Sequence, residues 1–308
     1  MQKCVVILFV CLCIVGCSQK EKEKETGVKK LYIVTTTGMI GDAVENITGD
    51  KATVVSLMGP GVDPHLYKAT QGDLVELRKA DIIIYNGLHL EGKMVEIFEE
   101  LAKEKNVFAV ADGIDKSKFR DVAQVAGTTT HDPHIWFDVL LWSEGVKYIG
   151  DKISETDSAN SETFKNNTAA YMIKLKVLDA EVREKINTIP QENRILVTSH
   201  DAFGYFGRAY GVTVRGLQGI STAAEFGLRD ITDMVDIIIQ DKVQAAFIES
   251  SVSEKSIRAV INGCKEKGHD VKLGGTLYSD AMGAKNTPDG NYIGMVTHNV
   301  NVIVEALK

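Results

Sequence analysis

The stretch HDPHIWFD, residues 131–138, sets two histidines and two aspartates in eight positions, with Pro133 among them and no helical apolar stripe. Imidazole and carboxylate groups at such positions close turns, move protons or hold a divalent metal. Similar groups stand beside other apolar runs. GPGVDPHLY places Asp63 and His65 after one run, and SHDAFGYF places His200 directly after another. Glu249 closes a third run, and TLYSDAMG places Asp280 after a fourth. In open α/β sheets ligands gather beyond the carboxyl ends of the strands. His65, His134, His200 and Asp280 could therefore converge, and neutral imidazoles with one carboxylate suit Zn2+, Mn2+ or Fe2+. Because imidazole must be neutral to bind, affinity is expected to fall as pH drops through about 6.

Each of these residues also has an ordinary structural use. His65 and His134 follow proline and can close turns, while Asp201 beside His200, and Asp280 itself, can cap the segments after them. Glu249 can be a buried acid satisfied by backbone donors. Their shared position at sheet carboxyl ends is what favours a common site. His89, His269 and His298 lie beside or inside helical stretches and read as structural or exposed. No GxGxxG follows a strand, and GxxxxGK[ST], GxSxG and HExxH are absent, so a hydrolase is open only through the metal.

The elements that must position these groups alternate. Short β-branched runs at 31–36, 52–57, 81–86 and 106–111 read as strands buried on both faces, with helical spacing between them. Residues 161–189 then carry apolar positions three and four apart for some 29 residues without Gly or Pro, a helix of roughly 40 Å. After it, runs at 194–199, 212–217, 244–250 and 270–275 resume the alternation. The expected fold is α/β: two lobes, each a small mainly parallel sheet with surrounding helices, joined by one long rigid helix. The boundaries are set at 29–157 for the first lobe, 158–189 for the linker helix and 190–308 for the second lobe.

Residues 1–16 read as a secretory signal, with Lys3 before an apolar run too short for the roughly 20 residues of a membrane span. Ile14-Val15-Gly16-Cys17 resembles the bacterial lipobox, which would make Cys17 a lipidated first residue; the alternative is an ordinary signal cleaved nearby. Residues 17–28 alternate Lys and Glu and read as a solvated tether. Of five cysteines, only Cys264 then remains in the fold, as a packed thiol, so no intrachain disulfide can form. The net charge of −7 and the lack of a basic stripe argue against a nucleic-acid partner.

GPGVDPHLYKAT, HDPHIWFDV, VTSHDAFGYF, GLQGISTAAEFGLRDI, FIESSV and LYSDAMG together resemble the TroA-like metal-binding lipoproteins of bacterial ABC importers, the cluster A-I solute-binding proteins that include the ZnuA and PsaA types. The likeness runs from about residue 29 to 308, and 197–283 looks close to the TroA type. It implies a monomeric extracytoplasmic receptor, lipid-anchored to the cell membrane, that carries one divalent ion as cargo between two lobes and delivers it to an ABC permease with its ATPase subunit. It implies His65, His134, His200 and Asp280 as ligands, with Asp63 and Glu249 as supports behind the histidines and no catalytic residue.

Some zinc importers of this kind carry a long His-rich insertion at this loop, whereas here only His131 precedes the DPH motif. Manganese types often have Glu where this chain has His200. The cargo is therefore zinc or manganese, with iron as a third candidate. A secreted metal-dependent hydrolase and an adhesion lipoprotein are the alternative functions.

Overall fold

The computed structural model describes residues 30–125, 128–224 and 226–308. The signal segment, Cys17 and the tether lie outside the described residues. Among the described residues no helix is long and apolar enough to cross a membrane.

The first sheet holds β1 (Leu31–Thr35), β2 (Ala52–Ser56), β3 (Ile82–Tyr85) and β4 (Asn106–Ala109), all parallel, in the order β2-β1-β3-β4. A short antiparallel hairpin follows, β5 (Asp121–Val125) with β6 (Thr128–His131). The second sheet holds β7 (Ile195–His200), β8 (Thr213–Gln218), β9 (Ala245–Glu249) and β10 (Lys272–Leu277), again parallel, in the order β10-β9-β7-β8. Counted from its own first strand, each sheet has the same order, so the two lobes share one plan. The inner strands β3, β7 and β9 are buried along most of their length, while β2 and β8 at or beside the edges alternate with more exposed positions. That is the pattern of a parallel sheet covered by helices on both faces.

Helices α1 (Gly38–Thr48), α2 (Gln71–Lys79), α3 (Val95–Leu101) and α4 (Val139–Thr156) belong with the first sheet. After α5 (Ser161–Ile186), the second sheet is joined by α6 (Gly204–Tyr210), α7 (Leu228–Gln240), α8 (Lys255–Glu266) and α9 (Tyr292–Leu307). Of these, α4, α6 and α9 and the β5–β6 hairpin go beyond the alternation read from the sequence. The pattern of α4 is obscured by Gly145 and Gly150, residues that weaken a helix by about 1 kcal/mol each. Both glycines are there for close packing: a Cβ on Gly145 would lie 2.5 Å from Val110 Cγ1, and one on Gly150 would lie 2.3 Å from Thr168 Oγ1. The strand ends also differ from the reading by one or two residues; β7 runs through His200 and β10 lies at 272–277.

The long helix α5 buries Phe164, Thr168, Tyr171, Leu175, Leu178, Val182 and Ile186, at intervals of three and four residues. It is fastened along its length. Tyr171 Oη donates to Asp42 Oδ2 on α1 (2.7 Å), Asn167 Nδ2 to the Ile47 carbonyl (2.9 Å) and Lys185 Nζ to Asn301 Oδ1 on α9 (2.7 Å). The largest apolar core is continuous from Ile33 and Ile84 of the first sheet through Trp142 and Tyr292 to Phe247 and Leu277 of the second. The lobes are thus distinct in topology but joined by a common core, and a packed core of this kind resists wide opening.

Gly150 tests that packing. Propensity alone favours Gly150→Ala by about 1 kcal/mol, but the new methyl would also meet Thr168 Cβ at 3.0 Å, an atom fixed on α5. Overpacking costs about 1–3 kcal/mol, so urea unfolding of the metal-free protein is expected to show Gly150→Ala as a net loss of stability.

Candidate metal centre

The two Asp-Pro-His triplets form matching turns. In the loop between β2 and α2, the His65 N–H donates to Asp63 Oδ1 at 2.9 Å; between β6 and α4, the His134 N–H donates to Asp132 Oδ1 at 3.0 Å. Each aspartate closes a turn two residues ahead of it, and the proline between restricts the backbone. His200 is instead the last residue of β7, where its N–H donates across the sheet to Glu249 Oε1 of β9 (2.8 Å). Asp280 follows β10 in a loop pinned to the first lobe by Trp136, whose indole Nε1 donates to the Ser279 carbonyl at 3.0 Å.

These four side chains converge. All are buried, and one ligand atom from each lies within 4.8 Å of the other three. His65 Nε2 is 3.3 Å from His134 Nε2; His134 Nε2 is 3.4 Å from Asp280 Oδ1, and His200 Nε2 is 3.4 Å from Asp280 Oδ2. Zinc bonds of about 2.0–2.1 Å in a tetrahedron put neighbouring ligands about 3.3 Å apart. Three separations already have that value. Both Asp280 oxygens face the cluster, which suits one-oxygen tetrahedral or two-oxygen five-coordinate binding. His200 Nε2 and Asp280 Oδ1 are buried without an aligned hydrogen bond, as expected of groups aimed at an ion.

Behind two of the imidazoles stands a carboxylate. His134 Nδ1 lies 2.7 Å from Asp132 Oδ1, and the other Asp132 oxygen pairs with Arg120. His200 Nδ1 lies 2.5 Å from Glu249 Oε2, an ion-pair contact outside hydrogen-bond alignment. Among the described residues neither ring nitrogen of His65 has a carboxylate oxygen within ion-pair distance. The electrostatics follow. Burial pulls His65 down to about 4, with Asp280 opposing only in part. For His134 burial acts downward too, but Asp132 and Asp280 outweigh it and raise the ring to about 9. At His200 burial is likewise overcome, by Glu249 and Asp280, and the ring is raised well above its usual value. Burial disfavours the charged form of Asp280, yet the two imidazolium neighbours hold it well below the usual carboxylate range.

The residues singled out in the sequence thus divide cleanly. His65, His134, His200 and Asp280 meet; Asp63 and Glu249 each contact a histidine of the cluster. His131 sits apart, its Nδ1 3.0 Å from Asp121 Oδ1. His89 lies exposed in a turn with a positive φ of 63°, while His269 Nε2 and His298 Nε2 bond the carbonyls of Val243 and Thr276. Cys264 is a buried free thiol. Sequence reasoning missed Asp132 and Arg120 behind His134, and Thr222, whose hydroxyl donates to Asp63 Oδ2 at 2.6 Å. The repeated Asp-Pro-His triplet was the available signal for Asp132; Arg120 and Thr222 had none.

The family model described as zinc-uptake complex component A, periplasmic, matches residues 33–306. The manganese-binding lipoprotein MntA of Bacillus subtilis is 47% identical over 98% of this chain and 97% of its own length. The zinc-binding protein TroA of Treponema pallidum is 48% identical over 90% of this chain and 89% of its own. Among solved structures, that of the periplasmic zinc-binding TroA from Treponema pallidum matches with a TM-score of 0.87 at 47% identity, covering 91% of this chain and 99% of the other. Fe(III)-bound YtgA from Chlamydia trachomatis matches with a TM-score of 0.81 at 28% identity, covering 90% and 98%.

Two outcomes are expected from the site's electrostatics. Since His134 holds a proton below about 9 in the metal-free protein, metal must displace that proton at pH 7.5 and affinity should decline from about pH 9 downward, well above an unperturbed histidine. Calorimetry in buffers of different ionisation enthalpy should register proton release; a heat independent of buffer would contradict it. Removing the carboxylate behind His134, as in Asp132→Ala, should weaken metal binding roughly 10–100-fold, read by competition with a chelator.

Proposed function

This chain belongs to the ZnuA family of zinc-uptake component A proteins, and from that premise we propose that it is the extracytoplasmic solute-binding protein of an ABC transporter, capturing zinc or manganese, or iron as a third cargo. The ligands in this reading are His65, His134, His200 and Asp280, with Asp63 and Glu249 holding His65 and His200 in place. One observation carries it: four buried side chains from loops and strand ends of both sheets each bring one donor atom within 4.8 Å of the other three.

Four protein donors can fill a tetrahedral ion, whereas a catalytic zinc keeps a position for water. That favours capture and delivery without a chemical step. The donor set does not select sharply between cargoes. Imidazoles with one carboxylate bind zinc tightly and manganese more weakly, so the bound ion follows supply as well as affinity. Delivery requires the permease to separate donors held by different lobes, taken here as 29–157 and 190–308 with the linker at 158–189. A lipid on Cys17 and the charged tether after it would keep this monomer at the membrane beside its permease and ATPase partners, consistent with relatives named lipoproteins.

The reading is tested by elemental analysis of protein taken from its own cell envelope without chelators. One equivalent of manganese, zinc or iron is expected, and Asp280→Ala should weaken capture by more than the roughly 10–100-fold typical of residues behind the ligands. Native protein that carries none of the three ions, and takes up none on titration, would refute it.

A further inference from the structure

We propose that Thr222 is a positioning residue that sets how long the metal stays bound, acting through Asp63 on His65; this rests on the ligand set proposed above. The three imidazoles are held unequally. His200 is part of the inner strand β7, with Glu249 of β9 on both its backbone N–H and its ring. His134 has Asp132 on its ring. Its loop is bound to the second lobe by buried contacts: Tyr205 Oη donates to the Asp132 carbonyl (3.0 Å), Trp136 Nε1 to the Ser279 carbonyl (3.0 Å) and Tyr292 Oη to the Trp136 carbonyl (2.7 Å).

His65 has none of this support. Neither of its ring nitrogens has a carboxylate oxygen within ion-pair distance among the described residues, and its neighbour Leu66 is half exposed. The loop that carries it, residues 57–70, is joined to the second lobe by one hydrogen bond among the described residues, from Thr222 Oγ1 to Asp63 Oδ2 at 2.6 Å. The same carboxylate uses its other oxygen to accept the His65 N–H. Asp63 therefore transmits the position of Thr222 directly to the histidine. Thr222 is in turn held by Gln218, whose Nε2 donates to the Thr222 carbonyl at 2.7 Å, and Gln218 pairs with His200 in the β7–β8 register.

An imidazole with a carboxylate against its second nitrogen is a stronger and better oriented ligand. His65 is the exception, so its metal bond is the weakest of the three. Departure of the ion begins there, and the loop can draw His65 away only after the Asp63–Thr222 bond breaks. Capture is less affected, because the ion enters before that bond must close. The signature is an effect on dissociation with little on association.

The test uses the full chain loaded with Zn2+ and stopped-flow transfer to an excess of chromogenic chelator, for wild type, Thr222→Val and Thr222→Ser. Thr222→Val keeps the shape and loses the hydroxyl; it should release zinc about tenfold faster, the order of one lost hydrogen bond to a charged acceptor. Its association rate should stay within about twofold of wild type, thermal unfolding of the metal-free protein should remain a single cooperative transition, and Thr222→Ser should restore slow release. An unchanged dissociation rate in Thr222→Val, a change confined to association, or failure of Thr222→Ser to restore would each overturn the inference while leaving the ligand set intact. A wild type that binds no zinc would instead remove the ligand set, and this inference with it.

Discussion

Asp280 is buried between His134 and His200, and its oxygens lie 3.4 Å from each ring while its Oδ1 lacks an aligned donor. A buried carboxylate in that position is costly unless positive charge sits beside it. Behind the rings stand two more carboxylates, Asp132 and Glu249, against a single guanidinium on Arg120. The cluster can be neutralised by protons on His134 and His200, or by a divalent ion. These alternatives exclude each other. The protons and the cargo compete for the same electrostatic deficit, and everything around the site is arranged to keep that deficit dry and in register.

Keeping it in register is the task of the two sheets. Each donor stands where a parallel sheet presents ligands, and the repeated order of strands places both carboxyl ends at one seam. The lobes do not meet as separate bodies. Trp136, Trp142 and Tyr292 are buried in a core that runs from one sheet to the other, and α5 is fastened to α1 and α9 along its length. Motion in such a body is confined to small shifts of loops and packed elements. The uneven anchoring of the three histidines matters for that reason: where the core is rigid, the least supported loop governs passage of the ion.

Much of this was legible in the sequence, because it depends on periodicities and local turns. Apolar runs of six or seven residues separated by amphipathic stretches require a covered parallel sheet, and the three- and four-residue spacing from Phe164 to Ile186 requires a long one-sided helix. The Asp-Pro-His turns are local as well. The order of residues along the chain therefore sufficed to nominate His65, His134, His200 and Asp280. It did not reveal α4, since Gly145 and Gly150 read as weak helix when they are in fact points of close approach to Val110 and Thr168.

Only the tertiary structure decided how those four groups are supported. Arg120 reaches Asp132 within its own lobe, Tyr205 comes to the same loop from 73 positions away, and Thr222 meets Asp63 across 159. Contacts of that span follow no sequence period, because they are set by where two sheets and one shared core happen to bring distant loops together. The direction of each histidine's proton affinity was hidden for the same reason. Three chemically identical side chains are driven apart, His65 downward and His134 and His200 upward, by burial and by which carboxylate lies behind each ring. Residue type supplies the ligand; the desolvated surroundings decide what it does with a proton or a metal.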